Sequence, residues 1–455
     1  MGGGDAPRRG RGGVPLPAGP HGHVGGGTAV PVRHPGGQRH RGVRPGLPRR
    51  AGAEPASGVA DGHRVHRVLH DLLDLDAGDP TPRRGAPGVA GRRERPRQRR
   101  CGSGRRGGGS VAREPAVNDD LTKVTAYFGE RQRHGDRFTA DALLDLYGAA
   151  SVATSIVVRG IAGFGPRHEL RSDVTLTGSE DPPIAVVAVD RSAKMRELAL
   201  QTVDSVSRGL VTRESVRSAD GPIPSGPLTR LTVYVRRGQR ISGVLAYVAV
   251  CDVLRRHGFH SATAYLGVDG TADGQRRRAT FFSRNLDVPA MVVGMGPTAR
   301  AAEAIDVLRA IPGLQMLTVE AVNTCVLAGR PVAPPDTTGH HAHRKLTVQT
   351  SASAMHDGIP VHRELISRLR DLHSSAGATV FRGVWGFQAG EAALSDSLLR
   401  VGRRVPVTTV VVDTPERIAA GAQVVEEVTA QRSVVTVESV PGAVWIDGGV
   451  RRGAL

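Results

Sequence analysis

Cysteine, aromatic residues and long apolar runs are all scarce in this 455-residue chain. The three cysteines, Cys101, Cys251 and Cys325, have no paired spacing, which argues against both a disulfide framework and a zinc knuckle. No apolar run approaches the roughly 18 residues of a membrane-spanning helix, and no secretory signal is visible. We therefore expect a soluble, cytoplasmic protein in which Cys251 is a small apolar core residue.

The first 116 residues contain no Lys, Ile, Asn, Phe, Tyr or Trp. They are rich in Arg, Gly, Pro, Ala and His instead, and a chain with so few large apolar groups cannot bury a core. Their 22 arginines face only nine acidic residues, so they carry +13 of the formal net charge of +18. We predict that this segment is disordered, and the basic charge says little about the folded part.

Two interpretations of the segment 1–116 compete. One is a genuine Arg/Gly arm that binds RNA or DNA. The other is a GC-rich gene read in the wrong frame, since the residues present mostly have GC-rich codons. In the shifted frame, residues 33–47 and 61–76 can encode stretches that resemble the CrcB-type fluoride channels, and Val117-Asn118 can place a stop codon over a start codon. We expect the second, with the true start near Val117 and a fluoride channel encoded upstream.

One pattern is written three times in the remainder of the chain, at intervals of about 110 residues. Each copy opens with a β-rich run: Leu121–Tyr127, Leu228–Tyr234 and His343–Val348. A helix-period apolar stripe follows, which predicts a helix with one face buried against a sheet. The stripes are Phe138, Ala142, Leu143 and Leu146; Leu245, Ala249, Val250 and Val253; and Val361, Leu365, Ile366 and Leu369.

Two further β-rich runs, a second helix and a closing strand complete each copy. The second run ends at a glycine where the chain must turn, and the third begins beside a proline. The predicted strands are Thr154–Gly160, Pro183–Val189 and Val211–Val216; Ser261–Gly267, Pro289–Val293 and Leu317–Val322; and Ala378–Gly383, Pro406–Val412 and Val434–Val440. The order β-α-β-β-α-β predicts an α+β chain of three ferredoxin-like domains, at residues 117–217, 228–323 and 343–445.

Repeat 1 carries motifs that resemble a known family. Its segments 125–130 (TAYFGE), 141–147 (DALLDLY) and 159–165 (RGIAGFG) are similar to the bacterial domain-of-unknown-function family 190. Repeat 3 keeps RGVWGF at 382–387, whereas repeat 2 departs, with LGVDG at 266–270. Together the copies cover about three quarters of the chain.

The resemblance implies a PII-like fold, because that family is similar in fold to the PII nitrogen-signalling proteins. PII proteins form trimers whose intersubunit clefts bind nucleotides, so three tethered copies imply self-association into an intramolecular pseudo-trimer. The long loops by which PII proteins dock onto partners correspond to residues 161–182, 268–288 and 384–405. We expect the Arg276–Arg278 run in the second loop to be solvated.

A glycine-rich turn beside an arginine is the best candidate for ligand binding. Glycines let a turn expose backbone N–H groups, and a neighbouring guanidinium suits an anion or a phosphate. The alternative is a tight strand-end turn with a surface arginine. The residues are Arg159, Gly160, Gly163, Phe164 and Gly165 in repeat 1, and Arg382, Gly383, Gly386 and Phe387 in repeat 3. Because repeat 2 departs from the pattern, we do not expect such a site to be threefold.

The repeats contain no recognisable catalytic set. His340, His341 and His343 are close enough in sequence to bind a transition metal, but without a nearby acidic or Cys partner only adventitious binding is expected. We therefore predict no metal site, no cofactor and no enzymatic activity.

The sequence favours a PII-like regulatory or sensor protein that binds an adenine nucleotide or another small anion. Under the wrong-frame hypothesis the fluoride channel is a functional partner, in fluoride resistance, and nucleic acid is not a partner. Two alternatives stay open: a nucleic-acid-binding protein acting through the Arg/Gly arm, and a structural scaffold without a small ligand.

Overall fold

The computed structural model describes residues 120–172, 181–278, 286–333, 341–372, 376–388, 394–395, 405–429 and 433–455. Both interpretations of the segment 1–116 therefore lie outside the described residues. Those described residues combine helices with antiparallel strands, so the chain is an α+β protein. Within the described ranges, no helix is long and apolar enough to cross a membrane.

Repeat 1 begins with a long strand and ends with another. Its elements are β1 (Asp120–Gly129), β2 (Arg133–His134), β3 (Arg137–Phe138), α1 (Thr139–Ala149), β4 (Thr154–Phe164), β5 (Arg171–Ser172), β6 (Pro183–Arg191), α2 (Ser192–Ser205) and β7 (Arg208–Ser218).

Repeat 2 follows the same plan and continues into two short strands. Its elements are β8 (Leu228–Arg236), β9 (Arg240–Ile241), β10 (Val244–Leu245), α3 (Ala246–Arg256), β11 (Ser261–Leu266), β12 (Asp269–Ala272), β13 (Gln275–Arg276), β14 (Pro289–Pro297), α4 (Thr298–Arg309), β15 (Met316–Val322), β16 (Thr324–Leu327) and β17 (Arg330–Pro331).

Repeat 3 adds a terminal hairpin to that plan. Its elements are β18 (His343–Ser351), β19 (Met355–His356), β20 (Ile359–Pro360), α5 (Val361–Asp371), β21 (Ala378–Arg382), β22 (Trp385–Gln388), β23 (Leu394–Ser395), β24 (Pro406–Asp413), α6 (Pro415–Val428), β25 (Val434–Val440), β26 (Gly442–Asp447) and β27 (Val450–Ala454).

Each repeat has a core sheet of four antiparallel strands in the same order. The first strand lies in the middle, between the third and the fourth, and the second strand pairs with the outer side of the third. The three sheets are β4-β6-β1-β7, β11-β14-β8-β15 and β21-β24-β18-β25. The three repeats thus fold alike, as their repeated pattern predicts.

Two helices cover one face of each sheet. The predicted stripe of repeat 3 is buried at all four positions, and Leu143, Ala249, Val250 and Val253 are buried in the other repeats. The predictions for Phe138 and Leu245 are wrong, because both residues precede their helices in short hairpins. Phe138 is 43% exposed and Leu245 is half-buried. Tyr147 is buried on α1 instead of the half-buried Leu146.

Beyond the predicted end of the second core strand, each repeat pairs with a neighbouring repeat. The last residues of β4, from Gly160 to Phe164, pair with β21 of repeat 3. In the same way β12 of repeat 2 pairs with β4, and β22 of repeat 3 pairs with β11 of repeat 2. Residues 161–164, 269–272 and 385–388 are therefore strands, and the expectation that they begin long unstructured loops is wrong.

The chain at or just after the fourth core strand of each repeat also pairs with a neighbouring repeat, but the order of the repeats is reversed. The end of β7 pairs with β15 of repeat 2, β16 pairs with β25 of repeat 3, and β26 pairs with β7 of repeat 1. Each repeat therefore gives one strand extension to each of the other two. The connection after residue 323, which carried no strand prediction, contains β16.

These extensions also carry side chains into the neighbouring cores. Phe164 of repeat 1 and Cys325 of repeat 2 are buried in the core of repeat 3. Phe387 is buried in the core of repeat 2, and Val444 and Ile446 of repeat 3 are buried in the core of repeat 1. Cys251 is 1% exposed in its own core, as predicted, and burial raises the pKa of its thiol.

The sheet faces that the helices leave uncovered pack against one another. Side chains alternate along a strand, so Val124 and Ala126 of β1 pack under the helices while Lys123, Thr125 and Tyr127 point the other way. The apolar groups where the three sheets meet include Ile156, Val187, Tyr234, Tyr265 and Phe381, which come from all three repeats.

Candidate functional site

A cleft between repeats 1 and 3 encloses about 360 Å³. Its lining includes Gly163-Phe164-Gly165 of repeat 1 and Ala376–Thr379 of repeat 3. It also includes Gly129 at the end of β1, the nearby Arg131, Gln132 and Arg133, and the segment from Ser207 to Leu210 where β7 begins. Trp445 of the terminal hairpin also lines this space, which we name the 1–3 cleft.

Glycine is required at two positions in the walls of the 1–3 cleft. Gly163 pairs with Thr379, and a Cβ on this glycine would lie 2.6 Å from the carbonyl oxygen of Ala378. Gly209 has φ +147°, and its Cβ would lie 2.1 Å from the carbonyl oxygen of Tyr127. These glycines allow the close approach of backbones that forms the walls.

Arginine dominates the charged lining of the 1–3 cleft. Within the described residues, the carboxylates that line it are Glu169 and Asp181. Asp181 forms an ion pair with one arginine and accepts a hydrogen bond from the backbone N–H of another, Arg131, at 2.5 Å. The five lining arginines are Arg131, Arg133, Arg167, Arg171 and Arg208. The cleft therefore has an excess of positive charge.

Side-chain contacts hold the start of β7 and two of the lining arginines in place. Gln132 donates from Nε2 to the carbonyl oxygen of Arg208 at 2.6 Å and accepts from the backbone N–H of Ser207 at 2.8 Å. Arg208 Nε lies 3.1 Å from Asp447 Oδ1, and Arg167 Nε lies 3.5 Å from the same oxygen. Asp447 of repeat 3 thereby holds two arginines of repeat 1 at the edge of the cleft.

The structure separates the predicted ligand-binding residues of repeat 1. Gly163, Phe164 and Gly165 line the 1–3 cleft. Arg159 is not among the lining residues; its guanidinium forms an ion pair with Glu130 and is 55% exposed. Gly160 faces repeat 3, where its Cβ would lie 3.0 Å from the carbonyl oxygen of Val380.

The matching residues of repeat 3 lie against repeat 2. A Cβ on Gly383 would lie 2.5 Å from Thr263 Cγ2, and one on Gly386 would lie 2.2 Å from the carbonyl oxygen of Ala262. Phe387 is buried in the core of repeat 2, and Arg382 is half-buried. The two predicted residue groups therefore do not line one cleft, although Gly160 pairs with Phe381, the residue before Arg382.

Repeat 2 keeps glycine at both matching positions although the rest of its motif departs. A Cβ on Gly267 would lie 2.6 Å from the carbonyl oxygen of Pro289, and one on Gly270 would lie 2.1 Å from that of Ser155 in repeat 1. The glycines shared by the three motifs thus permit strand pairing between repeats. Anion binding by these motifs stays a prediction.

Six charged residues meet where the three sheets face one another, and sequence reasoning missed them. Lys123, Arg230 and Lys345 occupy the same position in the three first strands, and Glu214, Glu320 and Glu438 occupy the same position in the three fourth strands. Every one of these side chains is at most 14% exposed. We name the six residues the charge ring. The repeated cation two residues before a threonine was the signal available in the sequence.

Ion pairs join neighbouring repeats around the charge ring. Lys123 Nζ lies 2.8 Å from Glu320 of repeat 2, and Arg230 Nη1 lies 2.6 Å from Glu438 of repeat 3. Lys345 forms ion pairs with Glu438 at 3.1 Å and with Glu214 of repeat 1.

These contacts change the titration of the buried groups. Burial alone would raise the carboxyl pKa values, but the neighbouring cations prevail and lower the pKa of both Glu214 and Glu438. The pKa of Lys345 is raised because the attraction of the glutamates exceeds the effect of burial. Glu214, Glu438 and Lys345 are therefore ionised at neutral pH.

Arg276 is part of an interface, so the expectation that it is solvated is wrong. Its guanidinium contacts Asp141 and Asp145 on α1 of repeat 1 as well as Asp269 of its own repeat. Its side chain is 21% exposed, whereas that of Arg278 is 61% exposed.

The histidines before repeat 3 form no metal centre within the described residues. His340 lies outside those residues, and the ring of His343 packs at 4.6 Å from that of Trp445. Burial lowers the pKa of His343. In the part of the chain that the structure describes, no group of three or more His, Cys, Asp or Glu residues is placed to hold a metal ion.

Comparison with known families gives a match that recurs three times along the chain. The model of the DUF190 family, described as "Uncharacterized ACR", matches residues 121–218, 228–324 and 343–442. These segments make up about two thirds of the chain and coincide with the three structural repeats.

Proposed function

The chain belongs to the DUF190 family in three tandem copies, and on that premise we propose that it is a non-enzymatic, PII-like regulatory or sensor protein. The resemblance seen in the sequence is thus confirmed at the level of the family. Beyond this family assignment, we propose a fold plan for each repeat, a class of ligand and a biological role.

The strand order supports a ferredoxin-like plan for each repeat. In every copy the first strand lies between the third and the fourth, and two helices connect the strands on one face. The reciprocal extensions support a pseudo-trimer within one chain, because each repeat completes the sheets of the other two. Tethering favours such an assembly by raising the effective concentration of each repeat for its neighbours.

The 1–3 cleft is the proposed site of the regulatory ligand, a small anion of the adenine nucleotide class. The observation that carries this proposal is the excess of arginine around a glycine-walled space between two repeats. Its volume of about 360 Å³ falls within the range of about 300–1,000 Å³ that small-molecule sites occupy. Guanidinium groups bind phosphate oxygens well because their N–H donors match the oxygen geometry.

Titration calorimetry on the full chain tests this assignment, with ATP, ADP, AMP and inorganic phosphate as probes. Arg208→Gln removes one lining cation whose side chain is 38% exposed. Arg300→Gln is the matched control, because Arg300 is a 59% exposed arginine on α4, away from the cleft. Loss of one charge-assisted hydrogen bond of about 1.5–3 kcal/mol would weaken binding at least tenfold.

Two results would overturn the assignment. Either no probe binds, or Arg208→Gln and Arg300→Gln weaken binding equally. The absence of catalysis is tested separately by chromatography of the nucleotide after prolonged incubation. Its recovery unchanged is the expected result, and hydrolysis would contradict the non-enzymatic proposal.

A ligand-free structural scaffold is the second candidate, and the charge ring favours it. The ring and the exchanged strands join the three repeats through contacts between side chains and backbones of the chain itself. This alternative predicts no shift in melting temperature with any nucleotide or anion.

The proposed link to a fluoride channel rests on the shifted reading frame of residues 1–116 alone. Sequencing the DNA across codons 1–118 tests it first, since stop codons scattered through that frame would remove the idea. Unchanged fluoride tolerance after deletion of the gene, with no channel recovered in a pull-down, would do the same. The nucleic-acid alternative predicts steeply salt-dependent binding that is lost on truncation to Val117.

A further inference from the structure

A second cavity lies where the three sheets face one another, beside the charge ring. It has a volume of about 130 Å³ and shares Tyr127 and Val410 with the lining of the 1–3 cleft. We name it the central cavity. All three repeats contribute to its walls through equivalent positions of their first strands: Thr125, Thr232 and Thr347 in one layer, and Tyr127, Tyr234 and Gln349 in the next.

Sequence differences between the repeats shape this cavity. Repeats 1 and 2 place a tyrosine in the second layer, whereas repeat 3 places Gln349 there. The Gln349 side chain accepts a hydrogen bond from Ser261 Oγ at 2.7 Å. Much of the remaining wall is apolar and includes Val158, Ala185, Val187, Met291 and Phe381.

The hydroxyl group of Tyr234 lacks a hydrogen-bond partner within the described residues, although the residue is 1% exposed. Two other buried tyrosines do have partners. Tyr265, which lines the same cavity, lies with its hydroxyl 2.6 Å from Thr408 Oγ1, and Tyr147 lies 2.8 Å from Thr202 Oγ1. An unpartnered buried donor is costly, so the Tyr234 hydroxyl favours any ligand that offers it an acceptor.

The electrostatics of the central cavity favour an uncharged ligand. Lys123, Arg230 and Lys345 line it, but each already forms an ion pair with a glutamate of the charge ring. The ring contains three cations and three carboxylates, so its charges balance. An ion entering this space would lose its hydration without gaining an unpaired counter-charge.

We propose that the central cavity binds one small, uncharged organic molecule that presents a carbonyl or hydroxyl oxygen to Tyr234. A buried apolar cavity of about 150 Å³ is known to accept benzene, so 130 Å³ suits a five-membered ring or a smaller molecule. This site is additional to the proposed nucleotide site. Since all three repeats form its walls, an occupant stabilises their assembly by binding the folded chain alone.

The test uses two probes of the same shape on the full chain. Cyclopentanone offers a carbonyl oxygen, whereas methylenecyclopentane replaces that oxygen with a CH₂ group. Binding is measured by calorimetry and by the shift in melting temperature. We expect cyclopentanone to bind about tenfold more tightly, which corresponds to one buried hydrogen bond.

Tyr234→Phe removes the unpartnered hydroxyl and leaves the ring in place, so it should abolish the preference for the ketone. Tyr265→Phe is the matched control, because it removes a hydroxyl that already has a partner, and it should keep the preference. Arg208→Gln in the 1–3 cleft should leave ketone binding unchanged, which separates this proposal from the nucleotide site. Ala185→Leu should fill the cavity and block both probes.

Three outcomes would overturn the proposal. These are binding of neither probe to the unmodified protein, equal binding of the two probes, and a ketone preference that survives in Tyr234→Phe. If Ala185→Leu does not fold, the comparison of Tyr234→Phe with Tyr265→Phe still decides the matter, because both variants keep the shape of the side chain.

Discussion

Arg276 Nη2 in repeat 2 lies 2.5 Å from Asp141 Oδ1 in repeat 1, across 135 residues of sequence. The same guanidinium donates to Asp269 Oδ2 at 2.6 Å and contacts Asp145. Three carboxylates, two of them on α1 of the other repeat, therefore meet at one arginine. This arrangement joins the β12–β13 hairpin of repeat 2 to the first helix of repeat 1.

Replacing Arg276 with Met should reduce the free energy of unfolding by about 1–3 kcal/mol, because three carboxylates would each lose one charged donor. Arg276→Lys should restore only part of this loss, since an ammonium group lacks the planar fork of donors. Urea denaturation monitored by circular dichroism measures both effects. Arg277→Gln is the control, since Arg277 is exposed and donates to its near neighbour Gln275. An equal loss in Arg277→Gln would contradict the importance of the interface.

Local periodicity predicts the elements that each repeat builds from its own sequence. The stripe Val361, Leu365, Ile366 and Leu369 is buried throughout, and the run predicted at Pro406–Val412 is the strand Pro406–Asp413. In both cases the partner surface belongs to the same repeat and follows from the same pattern. Because the same pattern recurs in the other two copies, the same helices and strands can be predicted there.

The sequence around a residue does not show which other repeat that residue contacts. The predictions for segments that lie between repeats are therefore wrong. The strand β4 continues through Gly163 because β21 of repeat 3, more than 200 residues further along the chain, supplies its partner. Likewise nothing near Arg276 in the sequence indicates Asp141. The candidate site was therefore found only in part: the glycine-rich segment was identified, but the arginines that surround it were not.

Gly163 and Gly165 should respond differently to the same substitution. A Cβ at Gly163 would lie 2.6 Å from a backbone oxygen of repeat 3, and this atom cannot move without disturbing the strand pair. Gly163→Ala should therefore cost about 1–3 kcal/mol of stability. A Cβ at Gly165 would meet nothing within 4 Å, so Gly165→Ala should change stability by less than about 0.5 kcal/mol. Thermal denaturation of the two variants compares them directly, and similar melting temperatures would contradict the role of Gly163 in pairing.

The charge ring should make the assembly sensitive to acid. Neighbouring cations lower the pKa of Glu214 and Glu438 below the ordinary carboxyl value of 4.5. The stability that these groups contribute is therefore complete above about pH 4.5 and is lost as the pH falls through their lowered values. Urea denaturation at a series of pH values from 7 to 2 should show this decline.

Glu438→Gln tests whether the charge ring causes the acid sensitivity. The variant should lose about 3–5 kcal/mol at pH 7, because it leaves the buried Arg230 without its main partner. It should then lose less further stability on acidification than the unmodified protein does. Glu303→Gln, which removes a 57% exposed carboxylate on α4, should keep the original pH dependence. A parallel decline in all three proteins would show that other carboxylates govern acid unfolding.

The exchanged strands predict that a substitution in repeat 3 destabilises repeat 1. Ile446 belongs to the terminal hairpin but is 1% exposed within the core of repeat 1. Ile446→Ala should cost about 2–5 kcal/mol. Because the cavity opens beside β7 and α2, hydrogen exchange should accelerate there more than in α5 and α6 of repeat 3. Val450→Ala changes an exposed residue of the same hairpin and should have no such effect. Faster exchange confined to repeat 3 would mean that the terminal hairpin stabilises its own repeat and not its neighbour.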